Sequence, residues 1–418
     1  MYFLYNLLVL IASAILRVLA LVNTKLSLFV NGRKDTFSIL KKNISKEDKV
    51  IWIHAASLGE YEQGLPILEE LKRTNPSHKI VLTFFSPSGY EVKKNSKVAD
   101  VICYMPLDTK KNVALFIAAT HPAVVIFVKY EIWPNYLSAL NEKNIPTFLV
   151  SALFKENQIY FKWYGEFMRK ALTKFSHFFV QNENSNDLLK SIGFNNITIT
   201  GDTRFDRVNE ILERDNSLDF MNRFKQNKFC FVAGSTWPED EKIIIDYINQ
   251  NTHSIQFVIA PHTIKAKHIE TIKQAITKPV LCYSELENSE LEKYEVIIID
   301  TIGILTKIYS YADVAYVGGG FATGLHNTLE PAIFGIPVII GPKLEGFIEA
   351  EDLVQLKGVL SINNTIEFNK QLNSCFENEK FKKSTGLINY QYIKEKVGAT
   401  EKVMNVITSV LRNSVSKH

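Results

Sequence analysis

Short β-branched runs alternate with longer amphipathic stretches along most of this chain. Apolar runs stand at 50–53, 80–85, 123–128, 147–150 and 177–180, with helical periodicity between them. Runs of this length bounded by turns predict strands buried on both faces, as in a parallel sheet covered by helices. A second series stands at 229–233, 256–260, 295–300, 314–317, 338–340 and 359–362. The pattern predicts an α/β protein with two doubly wound, Rossmann-like sheets in tandem. The polar stretch 206–228 reads as the boundary, and 389–411 as a closing helical region. Two such sheets facing each other would make a cleft at the carboxyl ends of their strands, where ligands of open α/β sheets bind.

The first twenty residues follow another pattern. Only Asn6 and Arg17 interrupt an apolar stretch over 2–22. About 20 helical residues match a bilayer core of about 30 Å, but a central arginine costs roughly 2.5–3.5 kcal/mol on insertion scales. The basic residues of a signal peptide would precede the apolar run, which they do not do here. Seven cations and three anions lie in 25–49, an excess equal to the +4 of the whole chain. Positive charge just after an apolar helix is the juxtamembrane pattern of a cytoplasmic-side domain held against anionic lipid. A buried first helix followed by a solvated loop is the alternative.

Composition narrows the classes. The 418 residues are 46% hydrophobic and 22% charged, which is globular. A net +4 is too mild to argue for a nucleic-acid partner. Cys103, Cys230, Cys282 and Cys375 are far apart with no CxxC pair, which excludes a disulfide framework and a thiolate zinc cluster.

Candidate chemistry gathers where strands end. Gly318-Gly319-Gly320 follows 314–317 directly, and glycines there let backbone N–H groups approach an anion. Pro331 suits a first helical turn, so Asn327, Thr328, Leu329 and Glu330 would stand at a helix start. Glu330 could accept from ribose hydroxyls, or Asn327 and Thr328 could be caps with Glu330 complementing the dipole. Ser235 and Thr236 follow 229–233 and suit either an anion or a cap. Pro261-His262 follows 256–260. Neither GxGxxG nor GxxxxGK[ST] occurs, which disfavours dinucleotide and P-loop sites. In the first half Ser57-x-x-Glu60 matches a capping box, yet Glu60 also stands where a general base would. Glu131 follows 123–128 beside Trp133-Pro134. Arg204, in GDTRFD, either pairs with Asp202 or Asp206 or serves as a cation for a departing phosphate.

IWIHAASLGE, PLD at 106–108, EIWPN, GDTRFD, AGSTWPEDE, DTIGIL, ADVAYVGGGF, GLHNTLEPA and PVIIGP occur in one order. In this the chain resembles the 3-deoxy-D-manno-octulosonic acid (Kdo) transferases of Gram-negative bacteria, from the first helix to about Gly346. The resemblance implies a GT-B fold: an N-terminal membrane-anchor helix over 1–23, an acceptor-side domain over 31–207 and a nucleotide-sugar domain over 228–400. It implies inverting transfer of Kdo from CMP-Kdo to a lipid A precursor at the cytoplasmic face of the inner membrane, without metal or other cofactor. By the same resemblance Glu60 is the base, and Glu131 and Arg204 stabilise the transition state. Ser235, Thr236, Gly319 and Gly320 would meet the donor phosphate.

Three turns would hold CMP, and two depart from the family pattern. Pro261-His262 stands for a Pro-Arg pair, so a permanent cation becomes a titratable one. Gly303-Ile304-Leu305 stands for Gly-Glu-Leu and loses its carboxylate. Asn327-Thr328-Leu329-Glu330 is intact. Arg204 replaces a lysine, which keeps the charge and changes its geometry. The rival readings are another membrane-associated GT-B transferase using a UDP-sugar, a GT-B-like sugar epimerase, and a non-enzymatic membrane-anchored α/β scaffold.

Overall fold

The computed structural model describes residues 1–287, 289–322 and 324–415. The chain divides into two units, Met1–Arg207 together with the residues from Gly398 on, and Val208–Val397. Among the described residues each unit carries one seven-stranded sheet.

In the first unit the strands are β1 (Lys49–Ala55), β2 (His78–Phe84), β3 (Val101–Tyr104), β4 (Pro122–Val128), β5 (Thr147–Ala152), β6 (His177–Val180) and β7 (Ile197–Ile199). Their order is β3-β2-β1-β4-β5-β6-β7, all parallel. This is the doubly wound order, and it reverses direction between β1 and β4. Every β1 residue after Lys49 is buried, as a central strand with helices on both faces requires. Trp52 pairs with Val81 on one side and Val125 on the other. Its ring packs 4.8 Å from Phe116 and 5.3 Å from Phe127, centroid to centroid, anchoring one face of the sheet.

The second unit has β8 (Phe229–Thr236), β9 (Ile255–Pro261), β10 (Val280–Cys282), β11 (Val296–Ile298), β12 (Val314–Val317), β13 (Val338–Ile340) and β14 (Val359–Ser361). The order β10-β11-β9-β8-β12-β13-β14 reverses between β8 and β12. β3, β7 and β10 were not among the expected strands. They are three or four residues long, and β7 is only half-buried throughout, so neither length nor alternation marks them.

The end of the chain returns to the first unit. On the helix Ala399–Val415, Val403, Met404, Ile407 and Leu411 share one face and join the core with Leu65, Leu68 and Leu71. Asp206 holds the start of this helix, accepting from the backbone N–H of Gly398 and from the N–H and hydroxyl of Thr400. The residues from Gly398 on group with the first unit, while the expected span of the second domain ran to 400.

The N-terminal helix Tyr2–Leu19 carries its hydrogen-bonding side chains on one stripe. The Tyr5 hydroxyl donates to Asp108 at 2.6 Å, Asn6 accepts from Asn135 at 2.9 Å, and Tyr2 meets Ser138 at 2.8 Å. Phe3, Leu4, Leu7, Leu8, Ile11 and Ile15 are exposed around the rest of the helix. The helix is long and apolar enough to cross a membrane.

Candidate active site

Eight of the nine motifs singled out in the sequence open at the carboxyl end of a parallel strand. SLGE follows β1, PLD follows β3, EIWPN follows β4 and GDTRFD follows β7. STWPEDE closes β8, DTIGIL follows β11, GGGF follows β12 and GP follows β13. β1 with β4, and β8 with β12, are the two places where strand order reverses, where a crevice opens in sheets of this kind.

In the first unit Glu60 is the third residue of the helix Leu58–Thr74 and closes a capping box with Ser57. The Ser57 backbone N–H donates to Glu60 Oε2 at 3.1 Å, and the Ser57 hydroxyl donates to the same oxygen. The capping interpretation of Ser57-x-x-Glu60 is therefore realised. The box uses Oε2 alone, and among the described residues Oε1 accepts no hydrogen bond. Burial, and next the charge of Glu60, push the Tyr130 phenol up, so the Glu60 carboxylate lies near the turn that follows β4.

Glu131, on that turn, is 12% exposed. Its Oε2 accepts from Trp133 Nε1 at 2.8 Å and from His54 Nε2 at 3.0 Å. His54 is fully buried in β1, with Nδ1 2.8 Å from Thr83 Oγ1. Thr83 Oγ1 accepts from Trp52 Nε1, also at 2.8 Å, so its own proton is available to His54 Nδ1. The carboxylate assigns the imidazole proton to Nε2. Glu131 is thereby held by two rigid donors from behind. Sequence reasoning passed over His54. Its signal was an imidazole inside an otherwise apolar strand, since a buried polar group needs partners.

Arg204 pairs with Asp202, through Nε at 2.9 Å and a terminal nitrogen at 2.8 Å. Asp202 is buried and also accepts from Gln63 at 3.3 Å. The side chain of Arg204 remains one-third exposed, so the pair fixes the guanidinium without enclosing it. Lys129 and Ser151, after β4 and in β5, have φ of 68° and 50°, the left-handed region that non-glycine residues enter rarely.

In the second unit the buried carboxylate of Asp240 organises the β8 and β12 ends. It accepts from the Tyr316 hydroxyl at 2.7 Å and from the backbone N–H groups of Trp237 and Gly319, both at 2.9 Å. The Gly319 N–H is thus committed to Asp240 and does not point to an incoming phosphate. A Cβ on Gly320 would stand 2.8 Å from the Gly341 backbone, so close strand-end packing requires that glycine. Thr236 is also turned inward. Its hydroxyl donates to Glu241 at 3.0 Å, and burial pushes the Glu241 carboxyl up despite His268 at 3.1 Å. Ser235 has φ 53°, is half-buried, and among the described residues makes no side-chain hydrogen bond.

The three expected nucleotide turns converge. His262 stacks on Trp237 with ring centroids 4.7 Å apart, and the His326 ring lies 4.7 Å from that of His262. Trp237 Nε1 donates to His326 Nε2 at 3.1 Å, and burial with the neighbouring His262 pulls the His326 imidazole down. Pro261 is buried as the last residue of β9. Gly303 has φ 98°, which explains a glycine there, and Ile304-Leu305 opens the short helix Leu305–Tyr309. Thr306 in that helix donates to Glu330 Oε2 at 2.7 Å, and Asn327 donates to Glu330 Oε1 at 3.1 Å. The Asn327 side-chain Oδ1 accepts from the Leu329 N–H at 3.1 Å. Leu329 and Thr328 are buried. The helix Leu329–Ala332 is a single turn, too short for the dipole expected of it.

The sequence model of the family described as 3-Deoxy-D-manno-octulosonic-acid transferase (kdotransferase) matches residues 32–207. A bifunctional glycosyltransferase/methyltransferase of Fusobacterium nucleatum is 28% identical over 390 residues, which cover 90% of this chain and 59% of that protein. This chain therefore spans less than two-thirds of that relative. A 3-deoxy-D-manno-octulosonic acid transferase of Aquifex aeolicus is 29% identical over 357 residues, 82% of this chain and 92% of that protein. Two solved structures share the fold. UDP-GlcNAc 2-epimerase from Neisseria meningitidis has a TM-score of 0.57 at 15% identity, covering 84% of this chain and 99% of its own. MurG of Acinetobacter baumannii has a TM-score of 0.54 at 12% identity, covering 87% and 99%. The chain has the two-domain GT-B fold and resembles the Kdo transferases over most of its length.

Proposed function

We propose, from this resemblance, that the chain is an inverting glycosyltransferase that moves Kdo from CMP-Kdo to a lipid A precursor of the lipid IVA type. The observation that carries the reading is the placement of eight of the nine motifs at strand carboxyl ends, with Glu60, Glu131, Ser235 and the triple glycine at the two reversal points.

The second unit would hold the donor. His262, Gly303, Asn327 and Glu330 stand on turns already tied to one another, with Glu330 kept ready for ribose hydroxyls by Thr306 and Asn327. Ser235 would give its hydroxyl to the phosphate. The first unit would serve the acceptor. An acceptor hydroxyl attacks the anomeric carbon of Kdo, its proton passes to Glu60 Oε1, and CMP leaves with the bonding electrons. Glu131, positioned by His54 and Trp133, and Arg204, positioned by Asp202, stabilise charge as it develops. Fixed groups of this kind supply the largest share of many rate enhancements. The apolar N-terminal helix would keep the protein at the inner membrane, facing the cytoplasm, where a lipid acceptor is concentrated.

The test is mass analysis of the product from purified full-length protein, CMP-Kdo and a tetraacylated lipid A precursor, with UDP-sugars as competing donors. Addition of one or more Kdo residues supports the reading. Transfer from a UDP-sugar alone would replace it.

A further inference from the structure

A cavity of about 880 Å³ lies within the first unit, between the N-terminal helix and the segment that follows β3. One wall is the N-terminal helix, contributing Leu10, Leu16 and Arg17. Facing it are Phe29, Phe37 and the segment after β3. Five cations line it, Arg17, Arg33, Lys34, Lys110 and Lys111, and no Asp or Glu does. Among the described residues none of the five forms an ion pair.

Arg33 is the clearest of them. Its guanidinium donates to the carbonyl oxygens of Met105, Phe29 and Phe85 at 2.6–3.0 Å. The rings of Phe29, Phe85 and Tyr104 lie 3.6, 4.7 and 5.1 Å from it. Burial pulls it down to about 10, which leaves it a full cation at neutral pH. A buried charge with only carbonyls and rings around it attracts an anion strongly. Arg17 makes the same point from the other wall. It is costly in a bilayer-spanning helix, and in this structure it faces the cavity while the exposed leucines occupy the remaining faces of the helix.

We propose that this cavity binds one anionic phospholipid of the bilayer, with the headgroup phosphate among the five cations and one acyl chain along Leu10, Leu16, Phe29 and Phe37. Cations beside apolar wall, in a cavity bounded by a helix whose other faces are exposed and apolar, complement a lipid whose phosphate adjoins its chains. The inference concerns membrane binding and does not depend on the transfer chemistry.

The test uses the full chain and vesicles of phosphatidylcholine with or without phosphatidylglycerol. Replacing Lys34, Lys110 and Lys111 by Ser removes three exposed cations, and affinity for phosphatidylglycerol vesicles is expected to fall about 100-fold. The same change at Lys41, Lys42 and Lys46, equal in charge but outside the cavity, is expected to reduce it by less than about 3-fold. Arg17→Leu separates the cavity from simple insertion. A more apolar helix inserts better, whereas loss of a phosphate contact lowers the preference for phosphatidylglycerol, by about 5-fold. Native mass spectrometry of detergent-extracted protein is expected to show one phospholipid per chain, lost in the triple variant. Equal loss in the two triple variants would overturn the proposal, as would a phosphatidylglycerol preference unchanged in Arg17→Leu. Displacement of the lipid by inorganic phosphate alone, or by stoichiometric acceptor precursor, would assign the cavity to that ligand instead.

Discussion

One substitution can separate the capping contact of Glu60 from the proton acceptance proposed for it. A glutamine at the third helical position completes a capping box as a glutamate does, but cannot take a proton. Glu60→Gln is expected to keep its melting temperature while turnover falls about 10²–10⁴-fold and CMP binding persists. Turnover at the level of the unaltered protein would leave Glu60 as a cap only. His326 has an opposite relation to protons. Its imidazole is pulled below the usual 6.5 by burial and by His262, so the unfolded chain takes up a proton more readily. The stability it confers is complete above about pH 6.5 and declines as pH falls toward its lowered value. Denaturant titrations of His326→Asn are therefore expected to show a shallower loss on the acid side. The same residues show what sequence could say. Glu60 and Glu131 were legible as candidates because a carboxylate stood after an apolar run, and Arg204 because it stands between two aspartates in GDTRFD. Asp202 was legible too, two positions from the arginine it pairs with, but His54 and Asp240 were not, because a hydrogen bond spanning 77 or 79 positions leaves no local pattern.

At the scale of elements, Asp108 joins three pieces of chain. Its carboxylate accepts from the Tyr5 hydroxyl and from the backbone N–H groups of Asn135 and Tyr136, so it ties the N-terminal helix to the start of the helix Pro134–Glu142. Burial pushes the Asp108 carboxyl up, and these donors oppose that shift. Asp108→Ala leaves two buried N–H groups unpaired, and is expected to cost about 2–4 kcal/mol. Hydrogen exchange should quicken in Tyr2–Leu19 and in Pro134–Glu142 together; quickening in only one would break the argued linkage. The docking of this helix explains how Asn6 fits an apolar segment, since it faces protein, while Arg17 lines the cavity beside the helix. Hydropathy along the chain registered only the interruption. The long central strands were readable for the converse reason, because burial on both faces makes them uniformly apolar. β7 and β10, at sheet edges, are only three residues long, and β7 is half-buried throughout, so they look like loops.

The chain passes between its two units twice, after Arg207 and after Val397, and this gives the last helix a consequence for the whole molecule. Each unit has its own core, and the core around Ile53, Leu68 and Ile126 takes Val403, Met404, Ile407 and Leu411 from the returning helix. Burying an aliphatic side chain contributes about 1.5–3 kcal/mol, an upper range because denatured chains are partly collapsed. Four such residues approach the roughly 5–15 kcal/mol by which a domain is stable as a whole. Removing everything after Val397 also takes away Gly398 and Thr400, the donors that satisfy the buried carboxylate of Asp206. The harm therefore falls on the sheet at the opposite end of the sequence from the cut among the β14-side elements it follows. Calorimetry of the truncated chain is expected to show the transition of the first unit lowered strongly or lost. The transition of the second unit should stay near its original temperature and still rise when CMP is added. A single transition lowered as one, with no CMP effect, would mean that the two cores unfold together and that the last helix supports both.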